Sequence, residues 1–237
     1  MTYLGYCAIF FLQLDLYNYK HFIPNYMKRI INFLPLLFLL ISCDLLKDSK
    51  VSSTEVGGDT NLTMNTVGTS FNSYVKIGSN NFNANSTMAV TNNDNGVLTI
   101  QVKATLPANL AALLPSNYKD ASGKMSANIK IKNTSEGILD YFNADGKPFA
   151  IANYSSNVGD TYTLTKSNGV TITRKVTAKT EVDDFPYGMM LIKTMTIEQD
   201  SRIPGINKII YKVNHKYALV QIQFVMNDGT TTTINLV

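Results

Sequence analysis

Beyond Phe71 the chain alternates apolar and polar residues with a period of two, in short runs rich in Thr, Val, Ile and Tyr. That period predicts strands with one face turned to a core and one to water. The clearest run is Tyr217 to Met226, which puts Ala218, Val220, Ile222, Phe224 and Met226 on one face and Gln221 and Gln223 on the other. Asn227-Asp228-Gly229 and then Thr230 to Val237 follow, with Thr232, Ile234 and Leu236 on one face, so the chain is expected to end in a hairpin. A second hairpin is predicted from Thr161–Lys166 and Val170–Val176 around Ser167-Asn168-Gly169. Asn93-Asp94-Asn95-Gly96 announces a turn before Val97–Thr105, and Asp145-Gly146 announces one between Tyr141-Phe142 and Phe149–Ile151. Further strands are expected at Ser73–Ile77, Thr87–Thr91, Met125–Lys132, Met189–Glu198 and Lys208–Val213.

One segment breaks the pattern. Leu106, Leu110, Leu113 and Leu114 recur at i, i+4, i+7 and i+8 between Pro107 and Pro115, which places them on one face of a short helix over 107–114. The predicted fold is therefore all-β, an antiparallel meander forming a barrel, half-barrel or sandwich with one short helix. With 237 residues, 45% hydrophobic and 16% charged, the chain can bury a core, and global disorder is excluded.

The N-terminal part has a different texture. Met27-Lys28-Arg29 precedes a mostly apolar run, Ile30 to Ile41, too short as a helix to cross a hydrocarbon core of about 30 Å. A basic start followed by such a run is the layout of a secretory signal. Its end, Leu40-Ile41-Ser42-Cys43, resembles the lipobox of bacterial lipoproteins. The resemblance implies cleavage before Cys43, a diacylglyceryl group on its thiol and an acylated new N-terminus. The expected domain plan is a 1–26 over-extension of the true start, a 27–42 signal peptide, a 43–70 flexible tether and a 71–237 β-rich domain. A plain secretory signal and a membrane hairpin built from Tyr6–Leu12 and Ile30–Ile41 are the alternatives. The membrane, reached through the N-terminal lipid, is the implied partner. Asp44 would favour inner-membrane retention by the enterobacterial sorting scheme, but other lineages sort differently, and the outer membrane or cell surface is the expected site. The region from Gly137, with Asp140-Tyr141-Phe142, Asn157–Thr161 and Asn214–Val220, is similar to uncharacterised lipoproteins of the Bacteroidota, a likeness that implies no activity.

Charge and chemistry narrow the function classes. A net charge of +4, with lysines scattered among threonines, is no footprint for nucleic acid. After Cys43 the chain has one His, His215, and no further Cys, so disulfides, thiol zinc sites and thiol redox pairs are excluded there. His215 lies between two predicted strands with no Gly-x-Ser-x-Gly elbow, and reads as a turn residue. Asn92–Asn95 reads as a turn, since the position where a calcium loop wants its last acidic ligand falls on Lys103. Glu181, Asp183 and Asp184 would serve a hydrolase only if they met another carboxylate in a cleft. No metal site and no cofactor are expected. The reading is a non-enzymatic, lipid-anchored cell-envelope protein that binds or scaffolds. The alternative is a carrier of an apolar ligand in a curled sheet, with Leu106, Leu110, Leu113 and Leu114 on a helical lid.

Overall fold

The computed structural model describes residues 52–143 and 145–237. In chain order the elements are β1 (Ser70–Phe71), β2 (Ser73–Ile77), β3 (Asn80–Phe82), β4 (Thr87–Asp94), β5 (Val97–Ala104), α1 (Ala108–Leu113), β6 (Met125–Asn133), β7 (Gly137–Asp140), β8 (Phe149–Asn153), β9 (Thr161–Thr165), β10 (Thr171–Lys179), β11 (Phe185–Tyr187), β12 (Met190–Ile192), β13 (Met195–Asp200), β14 (Ile206–Asn214), β15 (Ala218–Met226) and β16 (Thr231–Leu236). They form an antiparallel six-stranded sheet, β1-β4-β5-β6-β7-β8, an antiparallel eight-stranded sheet, β3-β2-β16-β15-β14-β13-β10-β9, and a separate β11–β12 hairpin. Among the described residues the fold is all-β and antiparallel with one short α-helix, as expected, and no barrel closes.

Turn chemistry sets the register. Asn95 and Gly96 have φ of 51° and 89°, the two left-handed residues that a type I′ turn requires, and they join β4 to β5. The main core lies between β7 and β8 of one sheet and β9, β10, β13 and β14 of the other, with Phe149, Ala150, Tyr162, Val176, Ile197 and Val213 almost wholly buried. A smaller cluster, Val90, Leu98, Ile100 and Val102, lies under β4 and β5. In β7, Gly137 permits close approach: a Cβ there would stand 2.4 Å from the Ala152 carbonyl oxygen.

The sheets are joined at two margins. Between β1 and β2 only Asn72 intervenes, exchanging two 3.0 Å backbone hydrogen bonds with Val237. At the other margin β8 and β9 share no ladder, and Ser53 spans the gap. Its carbonyl accepts from Ala150 N–H at 2.8 Å and its hydroxyl from Thr163 N–H at 2.8 Å.

The expected 43–70 tether is thereby corrected over residues 52–69. Val56 is buried in the main core, and Asn65, 2% exposed, donates to the carbonyls of Thr60 and Asn133. Polar pins carry no periodicity, which is why the segment looked free. The signal segment 27–42, Cys43 and residues 1–26 lie outside the described residues.

Three smaller expectations shift. Tyr141 and Phe142 are not a hairpin arm but part of the connection between β7 and β8, where Asp140 Oδ1 accepts the Phe142 N–H. A bulge between Lys212 and Val213 leaves Val220 unpaired, so Leu219, opposite Val213, joins the face of Ile222 and Phe224 that packs on the core. Met189–Glu198 is two strands, divided at Lys193-Thr194 because Thr194 pairs with Thr180 and turns the chain out of the large sheet.

Candidate functional site

The divided segment builds the most exposed apolar feature among the described residues. β10 ends at Lys179, and Thr180 and Thr194 close a neck: Thr180 N–H donates to the Thr194 carbonyl at 2.9 Å, and Thr194 N–H to the Thr180 hydroxyl at 2.8 Å. Beyond the neck, β11 pairs with β12 through Phe185↔Ile192, Pro186↔Leu191 and Tyr187↔Met190. Gly188 occupies the first position of the two-residue turn with φ of 58°, the left-handed geometry of a type II′ hairpin. An isolated two-stranded hairpin is marginal in water. This one leans on the β14–β15 turn: the Tyr187 and Tyr217 rings lie 4.6 Å apart, and the Lys212 ammonium stands 5.5 Å over the Phe185 ring. Asn214 supports the base, donating to the Lys193 carbonyl at 2.7 Å and accepting the Lys216 and Tyr217 N–H groups.

With one face committed to that support, the tip faces water. Met189 is fully exposed, Met190 is 50% and Leu191 56% exposed, and Val182 in the preceding loop is 64% exposed. The Tyr217 hydroxyl reaches Met190 Sδ at 3.3 Å. Burial and the neighbouring Tyr217 raise the Tyr187 phenol above its ordinary pKa, so Tyr187 acts as a neutral amphipathic group.

The residues singled out in the sequence fall as follows. Leu110 is buried in the main core, Leu106 and Leu113 pack against it, and Leu114 is half-buried beyond the end of α1. Helix α1 is thus seated on the core beside the 201–206 turn, where Leu113 faces Gly205. The nearby depression of about 360 Å³ is wide open and lined by residues 201–207 and Asn227, not by the four leucines. His215 sits exposed on the β14–β15 turn. Glu181, Asp183 and Asp184 are exposed in the loop before β11, and among the described residues no group of three or more His, Cys, Asp and Glu is placed to hold a metal ion. Asn93 serves the β4–β5 turn, its side-chain Oδ1 accepting the Gly96 N–H and its Nδ2 donating to the Asn65 backbone carbonyl. Comparison with protein-family models, with curated proteins and with solved structures returns no match.

A buried ion pair, not foreseen in the sequence, is the most densely bonded polar group. Arg174 on β10 and Asp140 on β7 are 4% and 7% exposed and meet at 2.5 Å. The guanidinium also donates to Gln199 Oε1 at 2.7 Å and to the Phe149 and Ala150 carbonyls at 3.3 and 3.0 Å. It stacks 4.2 Å over the Phe149 ring and 5.1 Å from that of Tyr211. Asp140, Phe149 and Ala150 belong to the six-stranded sheet and Arg174 and Gln199 to the eight-stranded one, so this group clamps the two sheets together. Burial raises the Tyr211 phenol, whose hydroxyl donates to Gln199 at 3.3 Å.

The parity of β10 held the signal for the clamp: Ile172, Arg174 and Val176 share the inward face, which puts a charge at a core position. For the hairpin the signal was Tyr187-Gly188-Met189-Met190, a glycine where a II′ turn needs one, inside a run read as loop followed by strand.

Proposed function

We propose that the chain is a lipid-anchored binding or scaffolding protein of the cell envelope, without catalytic chemistry of its own. The observation that carries the binding role is the projecting hairpin, in which Met189, Met190 and Leu191 are held in water by a neck and a rigid turn. Exposed apolar groups that a fold supports so firmly mark an interaction surface. The sequence from Met27 to Cys43 supports the anchor: a basic start, an apolar run and Leu40-Ile41-Ser42-Cys43 stand in the order that acylation requires. Two or three acyl chains give durable attachment where one gives only marginal binding. The carboxylates Glu181, Asp183 and Asp184, exposed and without a cleft, fit a solvated loop beside the hairpin.

Intact mass spectrometry of the protein extracted from membranes, wild type beside Cys43→Ala, tests the anchor. The expected mass is that of residues 43–237 plus acyl chains, lost in the variant. An unacylated chain that retains residues 1–42 overturns the anchor and leaves the hairpin to be explained alone.

A further inference from the structure

The hairpin mixes apolar, aromatic and basic groups. Met189 stands at its turn, Met190 and Tyr187 face each other next to it, and Leu191 and then Phe185 follow toward the neck; the Tyr217 ring lies against Tyr187, Lys212 and Lys216 stand over the Phe185 and Tyr217 rings, and Lys193 leaves β12. An exposed apolar turn flanked by amphipathic rings with lysines beside them is the combination of groups that suits the interface between acyl chains and headgroups. We infer that the β11–β12 hairpin inserts its tip into a lipid surface, as a second membrane contact independent of the N-terminal acyl chains.

Two further observations favour lipid over protein as the occupant. The first is area. Met189, Met190 and Leu191 together offer roughly a few hundred Å², the size of a large patch on a monomer, while a stable protein partner or second copy needs about 800 Å² on each side. A fully exposed Met189 at a hairpin tip loses its hydration in a medium that surrounds it, whereas a flat protein face covers one side. The second is charge. Lys193, Lys212 and Lys216 are matched by Glu181, Asp183 and Asp184 in the adjoining loop, so the charged surround is neutral at pH 7 yet carries both signs. That complements zwitterionic headgroups and predicts attachment with little dependence on salt or on anionic lipid.

The inference deepens the binding role proposed above by naming its partner, and it does not rest on Cys43. Because Val51–Val237 is a compact unit with its own core, residues 44–237 can be studied without the apolar 27–42 run or any acyl chain. The sequence contains no Trp, so Met189→Trp places a single indole at the tip. With phosphatidylcholine vesicles its emission should shift to the blue, and co-sedimentation should persist in high salt. Met189→Ser/Leu191→Ser, compared with wild type at equal thermal stability, should bind about tenfold more weakly or worse. Unshifted emission, or equal sedimentation of wild type and double variant, overturns the inference and reassigns the tip to a protein groove. Attachment only to anionic vesicles and abolished by salt also overturns it, since the lysines would then act without the tip. A failed Cys43 mass test with a positive vesicle test separates the two readings.

Discussion

Removing the Arg174 guanidinium should cost the fold more than removing any other single polar side chain described. Arg174→Met keeps the length and the apolar stem but strips donors from Asp140, Gln199 and two backbone carbonyls, and takes the cation from the faces of Phe149 and Tyr211. Asp140 would remain buried with one backbone N–H, that of Phe142, as its compensation. Deleting one partner of such a pair typically costs about 3–5 kcal/mol. For a domain of this size that corresponds to a fall in Tm of roughly 6–20 °C. Urea and thermal unfolding followed by circular dichroism measure it. Asp140→Asn/Arg174→Met should recover part of the loss, because the double variant buries no unpaired charge, and the coupling should be about 1–3 kcal/mol. A single variant within about 1 kcal/mol of wild type, or two single losses that simply add, would refute the view that this pair clamps the sheets.

Two other outcomes follow from the packing and the loop chemistry. Leu110→Ala should lower stability by about 2–5 kcal/mol, and Leu114→Ala by less than about 1 kcal/mol, in denaturant titrations; equal losses would mean that α1 is not seated through Leu110. Asp145 joins its loop to the β9–β10 turn by accepting the Ser167 N–H at 2.6 Å and hydroxyl at 2.7 Å, and these bonds hold its carboxyl below the ordinary carboxylate value. A lowered folded-state value contributes stability that is present above the unfolded pKa and lost as pH falls through the folded one. Amide exchange in the 166–170 turn should therefore quicken on acidification below about pH 4, and an unchanged acid profile in Ser167→Ala would count against that link.

Much of the β-domain was legible from side-chain alternation and turn residues. Ser73–Ile77 is a strand with the very bounds expected, and the hairpins around Asn95-Gly96, Ser167-Asn168-Gly169 and Asp228-Gly229 fall where Asn, Asp and Gly announce them. Both signals are local: a period of two reports one wet and one dry face, and a turn residue reports its own φ. Helix α1 was legible for the same reason, since four leucines at helical spacing between prolines leave few other conformations. The hairpin escaped because β11 and β12 are three residues each, too short for alternation to register, and lean on a turn about 25 residues further along the chain.

The sequence by itself determined the fold class, most strand positions and the absence of any Cys after Cys43. Only the tertiary structure decided what depends on partners distant along the chain. Ser53 closes the seam between Ala150 and Thr163, about 100 residues away, with hydrogen bonds that leave no pattern in composition. The bulge at Val220 depends on how β14 meets β15, and it brings Leu219 onto the core beside the predicted Ala218, Ile222 and Phe224. Arg174 is at a core position by parity, but that the cost of its burial is met by Asp140 and by carbonyls of the opposite sheet follows only from packing the sheets together. The exposure of Met189 is settled the same way: its alternation would suit a core, and the neck at Thr180 and Thr194 carries it out of the sheet into solvent.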